Sequence, residues 1–247
     1  MPSLPTYEQS FASHEKARFW HPTMNGDLMP CHVFKHTHKK YWFKCDDCGH
    51  SFDNQPHNIA YGNWCPYCAN PPKKLCDDIN CNLCFNKSFA SHEKSQFWHP
   101  TKNHPLVPRN VFKVSAKKCW FKCCDCGHEF DSMISHITGN DQWCPYCVNL
   151  KLCYYMNCQL CFNKSFASHK RANFWHPKKN GTLVPRNVLK SSGKKYWFKC
   201  EDCHHDFISS LRNITCKDQW CSYCGRKKLC DDNNCHLCFN NSFASHE

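Results

Sequence analysis

Lys40-Tyr41-Trp42-Phe43-Lys44-Cys45-Asp46-Asp47-Cys48-Gly49, answered by Cys65-Pro66-Tyr67-Cys68 with sixteen residues between Cys48 and Cys65, is the stretch that decides the fold. A two-residue gap lets both sulfurs of a tight turn face one ion. A second such turn from a distant segment then completes a tetrahedron, the spacing expected of a structural zinc site. The same arrangement recurs at Cys123, Cys126, Cys144 and Cys147, and again at Cys200, Cys203, Cys221 and Cys224, with seventeen residues between the pairs. Four thiolates leave no open position for water, so these sites read as structural rather than catalytic.

The quartets are part of a longer period. Ser10, Ser88, Ser165 and Ser242 each open the phrase Ser-Phe-Ala-Ser-His at offsets of 78, 77 and 77 residues, and each full copy carries seven cysteines in register. Self-similarity at a fixed period marks an array of one small unit. The boundaries fall at 10–87, 88–164 and 165–241, with 242–247 as a partial fourth repeat that completes the last metal site. The expected fold is a tandem array of three small α+β, zinc-stabilised units, each a knuckle-tipped β-hairpin with short helices.

A second cluster follows each quartet. Cys76, Cys81 and Cys84 supply three ligands, as do Cys153, Cys158 and Cys161, and then Cys230, Cys235 and Cys238. His92, His169 and His246, at the same distance beyond each triplet, are the expected fourth ligands, and the chain stops at Glu247, one residue after the last of them. The competing reading makes each of these histidines part of a helix start, capped by Ser13, Ser91 or Ser168. His99 and His176 are the rival ligands. His14 has no triplet before it and is expected to be metal-free. Six zinc ions are therefore predicted. Cys31, Cys119, Cys124 and Cys216 have no counterparts in the other copies and are read as spectators, with Cys123 rather than Cys124 in register for the metal.

Lys40–Lys44, Lys118–Lys122 and Lys195–Lys199 read as strands, with Phe52, Phe130 and Phe207 on the returning strands. Gly49 and Gly127 fit a left-handed turn after the knuckle, and His204 must take that conformation in the third copy. A short helix is expected after each Ser-Phe-Ala-Ser-His phrase, with Ala12, Phe19 and Trp20 on one side. It ends at His21-Pro22, and an extended link such as Val107-Pro108-Arg109-Asn110-Val111 follows. Trp20, Trp98 and Trp175 are read as core.

The amino terminus has neither a basic start nor an apolar stretch, and no run approaches the ~18 apolar residues of a membrane span. The reading is a protein that is not secreted and keeps its thiols reduced as metal ligands, with no membrane and no small-molecule substrate. The formal net charge of +12 treats every cysteine as neutral. Zinc with four thiolates carries −2, and with three thiolates and a neutral imidazole −1. Three repeats thus remove nine charges and leave +3. By repeat, formal charges of +2, +4 and +8 become −1, +1 and +5. The third repeat is the electropositive part, and Arg186, Lys190, Lys194, Lys195, Trp197 and Lys199 are its candidate nucleic-acid contacts. On that strand Lys195, Trp197 and Lys199 point to one side, and Tyr196 and Phe198 to the other.

Phe97-Trp98-His99-Pro100-Thr101-Lys102-Asn103, the Lys-Lys-x-Trp-Phe-Lys-Cys run at 117–123, Cys126-Gly127-His128-Glu129-Phe130 and Trp143-Cys144-Pro145-Tyr146-Cys147 resemble the zinc-ribbon (treble-clef) repeat domain family of large DNA viruses and bacteria. The resemblance covers nearly the whole chain, three times. It implies a four-cysteine zinc module associated with DNA, and an intracellular setting: the cytoplasm or nucleus of a host cell, or a virion. The second cysteine cluster is an addition to that pattern and draws no support from it.

The leading functional expectation is a non-catalytic zinc-repeat protein that binds nucleic acid mainly through phosphates, DNA being favoured by the resemblance. The alternative is a structural or protein-interaction array, a virion component if the viral association applies. A nuclease would need a base and an open metal position. His50 with His57 and His128 with His136 recur, but the third copy pairs His205 with Asn213, and no carboxylate–histidine set repeats.

Overall fold

The computed structural model describes residues 4–140 and 142–246, with the side chain of His246 outside the description. The chain divides into two compact units, Met1–Lys122 with Asp131–Gln142, and Cys123–Phe130 with Trp143–Glu247. The division runs through the middle repeat. Each unit therefore contains the end of one repeat and the beginning of the next.

The strands are β1 (Tyr41–Lys44), β2 (Ser51–Asn54), β3 (Lys118–Lys122), β4 (Glu129–Met133), β5 (Lys195–Lys199) and β6 (Asp206–Ser210). They form three separate two-stranded sheets, β1–β2, β3–β4 and β5–β6. Phe43 lies opposite Phe52 in the first, and Phe198 opposite Phe207 in the third. The alternation read from the sequence holds. Tyr196 and Phe198 are buried, Lys195 and Lys199 are exposed, and Trp197 is half-buried. After the first knuckle Gly49 and Gly127 have φ of 70° and 69°, and His204 takes φ 57° in their place.

Short α-helices follow: α1 (Pro56–Ala60), α2 (Asn82–Lys87), α3 (Ile134–Asn140), α4 (Gln159–Lys164), α5 (Leu211–Cys216) and α6 (His236–Asn240). The helix expected after each Ser-Phe-Ala-Ser-His phrase is instead two 3-10 turns, in the first repeat Phe11–Ser13 and Glu15–Phe19. Between them His14 is extended (φ −89°, ψ 139°), which stops an α-helix from running through. The phrase does its work through its phenylalanine: Phe11, Phe89 and Phe166 are fully buried.

In the first repeat Phe11, Val33, Tyr41, Phe43, Phe52 and Ile59 form the core, and Trp20 and Trp64 pack against it. Trp20 meets Phe43 edge-on, with ring centroids 5.4 Å apart. Its indole N–H donates to the Leu28 carbonyl, 2.9 Å. Trp175 packs against the third core in the same way. The tryptophans of this phrase are core, as expected.

The outer edge of each first strand is closed by an asparagine side chain together with the backbone of His21, His99 or His176, whose N–H donates to the same tryptophan carbonyl. Asn25 accepts from the Trp42 N–H (2.8 Å) and donates to the Trp42 carbonyl (2.9 Å). Asn103 does the same at Trp120, and Asn180 at Trp197. Among the described residues, no helix is long and apolar enough to cross a membrane.

Candidate metal centres

The first knuckle of each quartet is shaped by its own backbone. The Cys45 N–H donates to the His50 carbonyl, and the Gly49 N–H to the Cys45 carbonyl. This brings Cys45 Sγ to 3.7 Å from Cys68 Sγ, and Cys48 Sγ to 3.6 Å from Cys65 Sγ. The corresponding separations are 3.7 and 3.5 Å at Cys123–Cys147 and Cys126–Cys144, and 3.6 and 3.5 Å at Cys200–Cys224 and Cys203–Cys221. A tetrahedron with metal–sulfur bonds of ~2.3 Å has sulfur–sulfur edges of about 3.8 Å. The donor atoms of each set lie within 4.8 Å of one another.

The electrostatics of the donors also fit a cation. Burial opposes ionisation of Cys45, yet the backbone N–H groups of Cys48 and Asp47, together with the thiols of Cys48 and Cys65, lower its pKa. Burial pushes its neighbour Cys65 up to about 12. Four thiols this close cannot all ionise against one another, and a divalent ion removes that conflict by ionising them together. Cys123 is buried and faces Cys147, whereas Cys124 is exposed, in agreement with the register assigned from the repeat. Cys119 is buried at the inward position that Tyr41 and Tyr196 occupy in the other copies.

The second cluster requires a correction. The histidine beside Cys76, Cys81 and Cys84 is His50, not His92. His50 Nε2 lies 3.3 Å from Cys81 Sγ and 3.6 Å from Cys84 Sγ. His128 Nε2 stands 3.5 and 3.6 Å from Cys158 and Cys161, and His205 Nε2 stands 3.4 and 3.7 Å from Cys235 and Cys238. With metal–nitrogen bonds of ~2.1 Å, a tetrahedral nitrogen–sulfur edge is about 3.6 Å, so three cysteines and this imidazole suit zinc.

His92 is occupied elsewhere. Its Nδ1 accepts the Lys94 N–H at 3.2 Å, capping the 3-10 turn Glu93–Phe97, and its ring stacks on Phe89. His169 caps at Arg171 and stacks on Phe166 in the same way. So does His14, which has no triplet before it. The capping alternative therefore holds, with the histidine rather than the preceding serine as the cap. The third expected ligand, His246, lies outside the described residues. Of the rival ligands, His99 and His176 cap their own loops through Nδ1, and His176 Nε2 meets Asp206 at 3.1 Å.

His50 is aimed by the first site. The left-handed turn at Gly49 reverses the chain, and the imidazole stacks on Tyr67, centroids 4.3 Å apart, between the cysteines of the second knuckle. His128 stacks on Tyr146, and His205 on Tyr223. In the first repeat Nδ1 also lies 3.1 Å from Cys48 Sγ, so one ring touches both cysteine sets. The signal in the sequence was the position: each of these histidines stands two residues past the second cysteine of its first knuckle, in all three copies.

Within each triplet a backbone N–H supports the last sulfur. Cys76 N–H donates to Cys84 Sγ (3.4 Å), Cys153 to Cys161 (3.3 Å) and Cys230 to Cys238 (3.3 Å). At Cys76 burial works against the thiolate, but hydrogen bonds from His50, Cys84, Cys81 and Arg109 lower its pKa to about 7.

Arg186, expected to contact nucleic acid, is only 5% exposed. Its Nη2 bonds the Tyr155 carbonyl at 2.8 Å and faces Cys153 Sγ at 3.8 Å. The link that carries it contains the 3-10 turn Pro185–Asn187, which turns the arginine inward. Lys190, Lys194, Lys195 and Lys199 are exposed, as their reading required.

Three hairpins, each tipped by a closed cysteine quartet, with a second cysteine–histidine set behind it, define a tandem zinc-binding protein of treble-clef type. The "Probable Treble clef zinc finger domain" family matches residues 17–71, 95–150 and 172–227, and the chain belongs to that family. The quartets and the second-set histidines lie inside the matched segments, while the three triplets lie beyond them. The chain is similar to uncharacterized protein R635 of Acanthamoeba polyphaga mimivirus, 36% identical over 176 residues, covering 69% of this chain. It spans less than half, 42%, of that relative's length.

Proposed function

We propose that this chain is a non-catalytic zinc-repeat protein that holds nucleic acid, chiefly by its phosphates, on the outer face of β5–β6. One comparison between repeats carries the reading. Lys40 is tied to Asp53 at 2.8 Å, and its counterpart Lys118 to Asp131 at 3.5 Å. In the third hairpin the counterpart of those carboxylates is Ile208, which pairs with Trp197 and is 49% exposed. Lys195 is thereby released. Lys190, Lys194, Lys195 and Lys199 all reach solvent, and among the described residues none stands within 4 Å of a carboxylate.

Trp197 offers a smaller platform than its sequence position suggests. The Lys179 ammonium sits 4.7 Å from its ring centroid and is held by Asp206 at 2.7 Å. Phosphate contact therefore outweighs base stacking in this reading, and the affinity carries little sequence choice. The closed metal sets support a role without catalysis, since all four positions of each are filled by protein donors. Reduced thiols suit a setting inside a cell or in a virion.

Labelled single- and double-stranded DNA and RNA, titrated at two salt concentrations, test the proposal. Binding is expected to weaken steeply with salt, and absent or salt-independent binding rules it out. Charge reversal at Lys194, Lys195 and Lys199 lowers the logarithmic salt slope by about 0.7–0.9 for each phosphate no longer neutralised, and the same changes at Lys39, Lys40 and Lys44 alter it less. Ile208→Asp, which restores the carboxylate of the other repeats, weakens binding roughly two- to fivefold, the worth of one exposed ion pair.

A second reading, a protein-interaction array, is favoured by Leu150, Tyr154, Tyr155 and Met156, each at least 68% exposed. A nuclease-insensitive protein partner in a pull-down would support it over the first.

A further inference from the structure

Arg109 and Arg186 belong to neither set of metal donors, and burial removes Arg186 from the nucleic-acid face. Each reaches back into the cysteine triplet of the preceding repeat. Arg109 Nη2 bonds the Asp78 carbonyl at 2.8 Å and faces Cys76 Sγ at 3.6 Å. Arg186 repeats both contacts at Tyr155 and Cys153. In both side chains Nε and Nη1 are buried without a hydrogen-bond partner.

A guanidinium in that state is costly unless an opposite charge faces it. A zinc held there by three thiolates and an imidazole would present it with a charge of −1. The arginine's own link is anchored too. Val111 accepts from the buried Phe89 at 2.7 Å, and Val188 from Phe166 at 2.9 Å. The guanidinium thus joins the metal set of one repeat to the core of the next.

We propose that Arg109 and Arg186 are positioning residues for the centres at Cys76 and Cys153. Each holds a metal-bound thiolate by an N–H···S bond, and through it the metal of one repeat fixes the entry of the next. This rests on zinc occupying those centres and is independent of nucleic-acid binding.

The full chain, loaded with zinc or with ¹¹³Cd, tests it through Arg186→Gln, Arg186→Lys and Arg109→Gln. All three variants are expected to keep six ions. In each glutamine variant one ion passes to a chromogenic chelator ~10–100-fold faster than in the parent, the usual effect of losing a partner to a ligand. One three-sulfur ¹¹³Cd resonance shifts while the quartet resonances stay. In Arg186→Gln the Phe166 N–H also exchanges faster. Arg186→Lys recovers part of the retention, because lysine restores charge but cannot span the oxygen and the sulfur together. A packing role alone would change exchange at Phe166 without moving the cadmium signal, and that result overturns the proposal. So do unchanged release rates in both glutamine variants, or a parent protein that binds only three ions.

Discussion

Stripping the metal with a chelator under reducing conditions unfolds both compact units, with loss of far-UV circular dichroism and of amide dispersion in the proton NMR spectrum. The reason is scale. Among the described residues the strands are four or five residues long, the α-helices at most seven, and each sheet has two strands. An isolated two-stranded sheet is marginal in water. A structural zinc contributes ~10–16 kcal/mol of folding free energy, comparable with the whole stability of an ordinary domain. Elemental analysis of the reduced protein is expected to give six zinc ions per chain, and three if only the quartets bind. Native structure that survives complete zinc removal would refute the account, as would thiols found oxidised in pairs.

The second large effect separates two histidines. His50→Ala lowers the zinc content from six to five, because its Nε2 completes the set at Cys81 and Cys84. His92→Ala leaves all six in place and costs on the order of 1 kcal/mol, the worth of a helix cap. Cobalt substitution makes the test direct: His50→Ala removes one three-sulfur chromophore and leaves the four-sulfur bands. A variant at His92 that lost an ion, with His50→Ala at six, would restore the assignment that the spacing favoured.

The contrast shows what a sequence of this kind exposes. The quartets were legible because both halves of each are tight local turns, and a two-residue gap has one geometric consequence. The hairpins were legible because alternation places Tyr41 and Phe43 inward, and a single wrong step would have put lysine in the core. The fourth donor of the second set was not legible from proximity. His50 precedes Cys76 by more than twenty residues and stands in the loop that shapes the first site, while His92 is close in sequence to Cys84 and turned away. His14, His92 and His169 share one capping contact through Nδ1, a local task that the spacing to the cysteines does not reveal. Arg186 was misplaced for a related reason. Net charge counts an arginine without showing that Pro185 begins a turn that carries it inward.

The asparagine at each first strand has a further consequence. A two-stranded ribbon normally offers its outermost backbone to any passing polypeptide, the usual starting point for intermolecular cross-β stacking. Asn25, Asn103 and Asn180 each satisfy both main-chain groups of the central tryptophan. A crowded string of such modules can then stay soluble without lending its ribbons to one another.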